Sequence, residues 1–363
     1  MNQGIFGKVK YFLLLFFVTL CVTSCGSGNN STSTPVTPPS GPSVPTSMFT
    51  YSQIFSSTSP FHTTVAALKT NGATTQPQAA MTALWGEGVA NQDLSATSYM
   101  FPIYPSASTD PVKTFICTHS WGGACNANNL QIHVPSGAVP EPQADAHIGI
   151  IDTTQNIEVD GWACTVTSTT VQCKSGGVYD YGGTGLEDVD SWAVHGGYAA
   201  GLFVITAQEL QGGVIDHALG LNTNCLNNPT VYPADLVEIG ENNTPGTDET
   251  CGTTGPPAYG DMIHLLWTPT QIAASSYSAE CKTVLTALAT YGAYTYDTGN
   301  GGLALLTQHQ LSYTAIGATN PWKTTIIPDL QLAGDGSGTT WRSCLNRLSA
   351  SDFELLQIKA GSY

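Results

Sequence analysis

One short stretch carries two carboxyl groups and an indole at alternate positions. Glu158, Asp160 and Trp162 alternate with Ile, Val and Gly in the run 156–167. In a β-strand, residues two positions apart point to the same side and lie about 6–7 Å apart. Two carboxyl groups on one face can supply a proton donor and a base or nucleophile, and an indole ring gives a sugar a stacking surface. The alternative interpretation is the solvated outer face of an edge strand.

Two other stretches set an Asp and a His into runs rich in Ile and Val. The first contains Asp145 and His147, and the second contains Asp216 and His217. Such runs predict buried strands, in which an ionisable group is costly unless it is paired, binds a metal or takes part in chemistry. An imidazole oriented by a carboxylate can act as a general base or as a metal ligand. A hydrogen-bonded core histidine is the simpler interpretation of each.

We expect Glu158, His147 and His217 to face one cleft. In this cleft Glu158 and Asp160 would act as the acid and as the nucleophile or base, and the histidines would orient them. The residues expected to contact the substrate are Trp162, Trp192, Tyr198 and Asp297. No cofactor is expected, although Asp297 precedes a glycine-rich turn, where it could bind a structural calcium ion or simply cap the turn.

Several classes of protein lack their sequence signatures here. The chain has no GxSxG, HExxH or GxxxxGK[ST] motif and no GxGxxG motif that opens a helix. These absences argue against serine hydrolases, zinc metallopeptidases, P-loop proteins and dinucleotide-binding proteins. The chain has 26 acidic and 10 basic residues, a formal net charge of −16. That balance argues against nucleic acid and anionic membrane surfaces as partners.

The composition favours an exported, mainly β protein. Only 10% of the residues are charged. Short alternating runs separated by turn residues predict a β-sandwich or jelly roll with a few short packed helices. The helix signals are capping boxes at Thr206 and Thr268, a helix over 278–291, a shorter helix over 63–69 and a turn opened by Ser351. Residues 176–185 are expected to form a glycine-rich loop.

The N-terminus has the features of a lipoprotein signal peptide. Lys8 and Lys10 precede an apolar run, 11–22, that is too short to span a bilayer, and the run ends at Val22-Thr23-Ser24-Cys25. We expect a signal peptide over 1–24, a lipid on Cys25, a Ser/Thr/Pro-rich tether over 25–47 and a single domain over 48–363. Gly26 after the cysteine predicts transfer to the outer membrane of the bacterial cell envelope. The alternatives are a plain secretory signal and a buried helix.

The cysteines also indicate export. Of 10 cysteines, Cys21 leaves with the signal peptide and Cys25 carries lipid, which leaves an even number for disulfides. The expected pairs are Cys117–Cys125, Cys164–Cys173, Cys225–Cys251 and Cys281–Cys344. No CxxC pair is present, so a structural zinc site is not expected.

An ordered set of short motifs resembles a family of large secreted proteins of soil bacteria. The set is Ala199-Ala200-Gly201-Leu202, Gly213-Val214-Ile215-Asp216-His217-Ala218-Leu219, Leu285-Thr286-Ala287-Leu288 and Tyr291-Gly292 with Asp297. In that family an Asp-x-His strand, here Asp145 and His147, and an acidic residue like Glu158 precede the set. The resemblance covers roughly residues 144–353 and implies a secreted β-sandwich similar to polysaccharide-active proteins.

These observations together predict a surface-anchored protein that acts on carbohydrate. A glycoside hydrolase is favoured, with a polysaccharide or glycan as the partner and the membrane contacted only through the N-terminal lipid. A polysaccharide lyase is the nearest variant, but it needs a cationic group for the uronate carboxylate, and Lys and Arg are scarce. The alternative from another class is a non-catalytic glycan-binding or adhesion lipoprotein.

Replacement of Cys25 by Ala should abolish membrane anchoring, because the lipid is attached through this thiol. We expect the Cys25→Ala protein either to be released or to keep its signal peptide, as judged by membrane fractionation and intact mass. Normal processing with full membrane retention would contradict lipidation at Cys25.

Overall fold

A computed structural model describes residues 55–86, 94–119, 125–186, 193–194, 196–224, 226–228, 230–234, 250–254, 257–298, 302–332 and 341–361. All of them lie in one compact unit, Val44–Tyr363. The predicted signal peptide, the lipidated Cys25 and the tether fall outside the described residues. The described chain is mainly β with a few short helices, as the composition predicts. No helix within it is long and apolar enough to cross a membrane.

The strands form one six-stranded sheet, two four-stranded sheets and two two-stranded pairs. The strands are β1 (Thr74–Thr75), β2 (Leu94–Ser95), β3 (Ile103–Ser106), β4 (Val112–Cys117), β5 (Gln131–His133), β6 (Ile148–Asp152), β7 (Ile157–Trp162), β8 (Thr165–Val166), β9 (Thr170–Cys173), β10 (Ser175–Asp180), β11 (Leu219–Thr223), β12 (Leu226–Asn228), β13 (Thr250–Thr254), β14 (Met262–Leu265), β15 (Ala293–Thr298), β16 (Ala304–Leu305), β17 (Trp341–Arg342) and β18 (Phe353–Gln357). The strand order is β1-β18-β14-β15-β11-β16 in sheet 1, β10-β7-β6-β3 in sheet 2 and β5-β4-β9-β8 in sheet 3, and the pairs are β12-β13 and β17-β2.

The α-helices are short, and two of them begin at the predicted capping boxes. They are α1 (Val65–Thr70), α2 (Gln78–Gly86), α3 (Ala207–Gly212), α4 (Pro269–Ala274), α5 (Ala279–Thr290), α6 (Leu311–Thr314) and α7 (Ile327–Leu332). The capping boxes at Thr206 and Thr268 are both formed, and Ser278 caps α5. Helix α5 buries Val284, Leu285 and Leu288 in the same apolar cluster as Leu219 and Ile263 of sheet 1. It therefore covers one face of that sheet.

Sheets 2 and 3 share a second apolar cluster. Val159 and Ile150 of sheet 2 lie in it with Phe115 and Val171 of sheet 3. Because side chains alternate along a strand, the Glu158 and Asp160 side of β7 faces away from this cluster. Ile151, which pairs with Glu158, belongs to the remaining cluster, in which the segment 198–204 also packs.

Three of the four expected disulfides are present. Cys117–Cys125 and Cys164–Cys173 tie sheet 3, and Cys281–Cys344 joins α5 to the region before β18. Cys225 falls outside the described residues, so the fourth pair stays a prediction. The Cys164–Cys173 sulfurs also fix the neighbouring β7, because a Cβ on Gly161 would lie only 2.4 Å and 2.5 Å from them.

Several predicted boundaries are wrong. The two Asp/His stretches lie before their strands, which begin at Ile148 and Leu219. Residues 175–180 form β10 instead of a loop, because Gly176 lets the strand pass the Phe115 ring, which would be 2.6 Å from an added Cβ. The C-terminal turn is capped by Ser349, not Ser351, and it leads into β18.

Loss of the long disulfide should destabilise the protein more than loss of the short one. Cys281–Cys344 spans 63 positions and Cys164–Cys173 spans 9. In the chain-entropy model these bridges contribute about 4 and about 2.5 kcal/mol respectively. Urea unfolding of the two Cys→Ala double variants measures both free energies of unfolding. The reverse order, or an unchanged stability for Cys281→Ala/Cys344→Ala, would contradict this account.

Candidate functional site

Strand β7 places Glu158 and Asp160 together in the interior. Both side chains are fully buried, at 0% exposure. Asp160 pairs with Gly149 of β6 on one side and with Gly177 of β10 on the other. A Cβ at Gly149 would lie 2.9 Å from Asp160 Oδ1. Gly149 therefore leaves the space above the sheet that the carboxyl group fills.

A single turn of 3₁₀-helix, Ala200–Leu202, covers the two carboxyl groups. The Ala200 amide donates to Asp160 Oδ2 at 2.6 Å, and the Gly201 amide donates to Glu158 Oε1 at 2.7 Å. A Cβ on Gly201 would stand 2.3 Å from Glu158 Oε2. Only glycine allows the backbone to approach this closely, so the Ala-Gly step in the resemblance motif is the part of the chain that holds the acids.

The two carboxyl groups share an environment that favours protonation. Burial, followed by the charge of Asp160, raises the pKa of Glu158 well above its usual value. Burial also raises the pKa of Asp160 to about 7, while the Ala200 amide and Glu158 hold it down. Glu158 Oε2 and Asp160 Oδ1 have no other hydrogen-bond partner in the described chain. Because both pKa values are raised, burial favours the retention of a proton by the pair.

Next to this pair lies a more accessible cluster. Trp162, two residues after Asp160, is half-buried, and its indole Nε1 donates to Asp145 Oδ1 at 3.5 Å. The exposed Lys174 places its Nζ 5.2 Å from the centre of the indole ring. Asp145 also contributes, after burial and Asp297, to the raised pKa of Tyr296. The cluster combines an aromatic face, a carboxylate and an ammonium group.

His147 is buried directly before the start of β6, the strand next to β7. Its imidazole stacks on Phe101 with ring centres 4.3 Å apart. The loop before it is held by Glu141, whose backbone N–H donates to His147 O at 2.9 Å and whose carboxylate accepts from the Gln143 amide at 2.8 Å. Glu141 is itself buried, and burial raises its pKa. Glu141 thereby fixes the loop that carries Asp145 and His147.

The second Asp/His pair belongs to the capping network of α3. His217 Nε2 lies 2.9 Å from Glu209 Oε1, and its Nδ1 lies 2.7 Å from Ala218 O. Glu209 Oε2 accepts from the Thr206 amide and hydroxyl. The hydrogen-bonding carboxylate of His217 is thus Glu209, and Asp216 contributes its backbone oxygen to His62 Nδ1 at 3.1 Å. These hydrogen bonds support a structural role for His217.

The expected substrate contacts separate into different environments. Tyr198 is fully buried and packs edge to face against Phe61 and Phe203. Asp297 Oδ1 accepts from the Thr298 amide at 2.8 Å, which is a local cap near the end of β15. Trp192 falls outside the described residues. Among the described side chains, no group of three or more His, Cys, Asp or Glu is arranged to hold a metal ion.

Several residues of the site could not be identified from the sequence pattern. The Ala200 and Gly201 amides act through the backbone and therefore leave no side-chain signal. Glu141 lies in a proline-containing loop without periodicity. Lys174 follows Cys173 at the end of β9 in sheet 3, and only the β7–β10 register brings it to Trp162. The sequence contains one signal for Lys174, which is the scarcity of basic residues in the chain.

The carboxyl pair should make stability depend on pH with a predictable sign. Both acids bind protons more tightly in the folded chain, so they stabilise it most below their unfolded pKa of about 4. This contribution is lost as the pH rises through the folded pKa, which is about 7 for Asp160. As the pH is raised from about 5 to about 8, we expect the Tm of the wild type to fall by several degrees more than the Tm of Glu158→Gln/Asp160→Asn.

A matched control is Asp261→Asn, which removes another buried acid. Burial raises the pKa of Asp261 to about 7, and its Oδ2 accepts from the Ala258 amide. Asp261→Asn should remove the contribution of Asp261 to the pH dependence of Tm, and the contribution of the carboxyl pair should remain. Equal pH slopes for the wild type and Glu158→Gln/Asp160→Asn would show that the pair is not the titrating unit.

In comparisons with known proteins, no family model, curated protein or solved structure matches this chain. Function is therefore inferred from the residues and from their geometry.

Proposed function

We propose that this protein is a glycoside hydrolase in which Glu158 and Asp160 perform the chemistry. The observation that carries the proposal is a buried carboxyl pair, whose pKa values burial raises, on the same side of β7 as Trp162. Two acids whose pKa values are pushed apart can serve as the proton donor and as the base or nucleophile of one reaction. The aromatic ring beside them offers the stacking surface that a sugar requires.

In the proposed reaction, Glu158 donates its proton to the glycosidic oxygen as the bond to the anomeric carbon breaks. Asp160 attacks that carbon and forms a glycosyl ester. Water, deprotonated by Glu158, then hydrolyses the ester and regenerates both groups. A nucleophilic Asp160 with an acid/base Glu158 is the arrangement of a retaining glycosidase, so this reaction should retain the configuration at the anomeric carbon.

Access to the pair requires a rearrangement of its cover. Both acids are fully buried, and the amides of Ala200 and Gly201 occupy one oxygen of each. A hydrogen bond to a charged group stabilises by about 1.5–3 kcal/mol, so a substrate must replace these contacts as it displaces the turn. Sugar binding at the accessible Trp162 would supply part of that free energy.

The proposal includes the setting inferred from the sequence. We place the enzyme as a β-sandwich of the secreted soil-bacterial type, attached through lipidated Cys25 and its tether to the outer membrane. Sheets 2 and 3, which share one apolar cluster, are the sandwich part of this proposal. The enzyme would then contact an extended polysaccharide outside the membrane, at a distance that the tether can span.

The second candidate is a non-catalytic glycan-binding lipoprotein. The observation that favours it is the complete burial of both acids beneath the 3₁₀ turn. In that case the retained proton and the two amides hold sheet 2 against the segment 198–204, and Trp162 alone contacts the glycan. The two candidates differ in the effect of a single isosteric substitution.

Glu158→Gln should abolish hydrolysis of a polysaccharide panel while leaving the Tm near that of the wild type at neutral pH. The substituted amide keeps an oxygen for the Gly201 N–H and a donor for Asp160, so it imitates protonated Glu158 without its transferable proton. Product release measured by reducing ends, with Tm by calorimetry, tests both expectations. The expected loss of turnover is at least about 100-fold, the usual contribution of general acid catalysis.

The matched control is Glu209→Gln, which alters a buried carboxylate outside the proposed chemistry. It weakens the contact with His217 and should lower the Tm, with activity per folded molecule retained. A stable Glu158→Gln protein with full activity would exclude the proposed role of Glu158. Glycan binding by the wild type without any turnover would favour the second candidate.

A further inference from the structure

The accessible end of the candidate site carries a positive charge in a chain that has few. The whole sequence has 10 Lys and Arg residues against 26 acidic ones. Lys174 is exposed, and it lies between Cys173 at the end of β9 and Ser175 at the start of β10. Because Ser175 pairs with Trp162, this position brings the lysine beside the indole ring. Its Nζ is 5.2 Å from the ring centre.

Lys174 is available to a ligand in a way that Lys69 is not. Lys69 forms an ion pair with Glu354, which also contacts His264. Lys174 makes a cation–π contact and has no ion pair with any carboxylate in the described part of the chain. A cation over an aromatic face gains about 0.5–1 kcal/mol at an exposed site, so its charge remains free to attract an anion.

The indole ring separates the positive group from the negative one. Lys174 lies over the face of Trp162, whereas Asp145 meets the Nε1 atom at the edge of the ring. Because the ammonium group already lies over the ring face, a sugar at the edge of this ring can present hydroxyl groups to Asp145 and an acidic group to Lys174. A neutral hexose has no charged group that could pair with the ammonium group, whereas a uronic acid carries a carboxylate that could.

We infer that the site selects a uronic acid residue, held by Lys174 and Trp162 beside the carboxyl pair. This inference rests on the proposed function and names its substrate class. Asp160 and Trp162 are two positions apart on one side of β7, a separation of about 6–7 Å. The acidic unit would thus bind next to the bond that Glu158 and Asp160 cleave. The net charge of −16 repels polyanions at long range, oligouronates included, so the contact with Lys174 acts only at short range.

The experiment compares oligouronates with their methyl esters, which keep the shape of the sugar and lose its charge. Short oligomers of galacturonate, mannuronate and glucuronate are tested by calorimetric binding at one salt concentration, and each is also assayed for cleavage. The variants are Lys174→Met, which keeps an apolar chain over the ring, and Lys174→Arg, which restores the charge. The control is Lys323→Met, an exposed lysine whose loss changes the net charge equally.

We expect the wild type to prefer one acid oligomer over its ester by about tenfold, the value of one charge-assisted contact. Lys174→Met should remove this preference without weakening ester binding, while Lys174→Arg and Lys323→Met should keep it. Equal binding of acid and ester by the wild type, or an unchanged preference in Lys174→Met, overturns the inference. If neutral glycans are nevertheless cleaved through Glu158, the proposed function stands without it.

The remaining outcomes separate the two proposals further. Binding of an acid oligomer that depends on Lys174, without cleavage, supports the inference and removes the hydrolase. Cleavage that yields an unsaturated, ultraviolet-absorbing uronate supports the inference and identifies a lyase instead. Failure to bind or cleave any glycan overturns both.

Discussion

The fold around the candidate site depends on how two carboxyl groups are accommodated without water. Burying a single charge costs several kcal/mol, and two adjacent charges would also repel each other. Glu158 and Asp160 each accept one backbone amide, and burial raises both pKa values, so that the pair favours a proton. Neither contact is sufficient alone. The amides stabilise the remaining charge, and the proton removes the repulsion.

This arrangement determines the glycine positions around it. Gly149 provides the space for Asp160 within sheet 2, and Gly201 allows the covering turn to reach Glu158. Gly161 and Gly176 have a different origin, because they accommodate the disulfide sulfurs and the Phe115 ring on the opposite side of the sheet. One strand is therefore fixed from both faces. Its carboxyl groups can be displaced only if the turn above them moves.

The sequence predicted the parts of this structure that depend on local periodicity. The alternation in β7 put Glu158 and Asp160 on one side, the capping boxes located α3 and α4, and spacing identified three disulfides. It could not predict partners that are distant in the chain and act through the backbone. The Ala200 and Gly201 amides follow the acids by about forty positions. For His217, the sequence suggested Asp216 as the carboxylate partner. In the structure the partner is Glu209, which the sequence identified only as part of the capping box of α3.

In the proposed enzyme, chemistry and recognition would be divided over a single step of one strand. The carboxyl pair is fully enclosed, where low dielectric favours a retained proton, while Trp162 and Lys174 remain accessible, where a ligand can first be met. A ligand bound at the accessible end would approach the 3₁₀ turn from its side, and displacement of that turn would break both amide contacts together. The same displacement would remove the Ala200 contact, which lowers the pKa of Asp160, but it would also remove the burial that raises this pKa more strongly. Asp160 could then act as an anion. Binding and activation would then be one event, because the contacts that stabilise the resting pair are the ones that the substrate must replace.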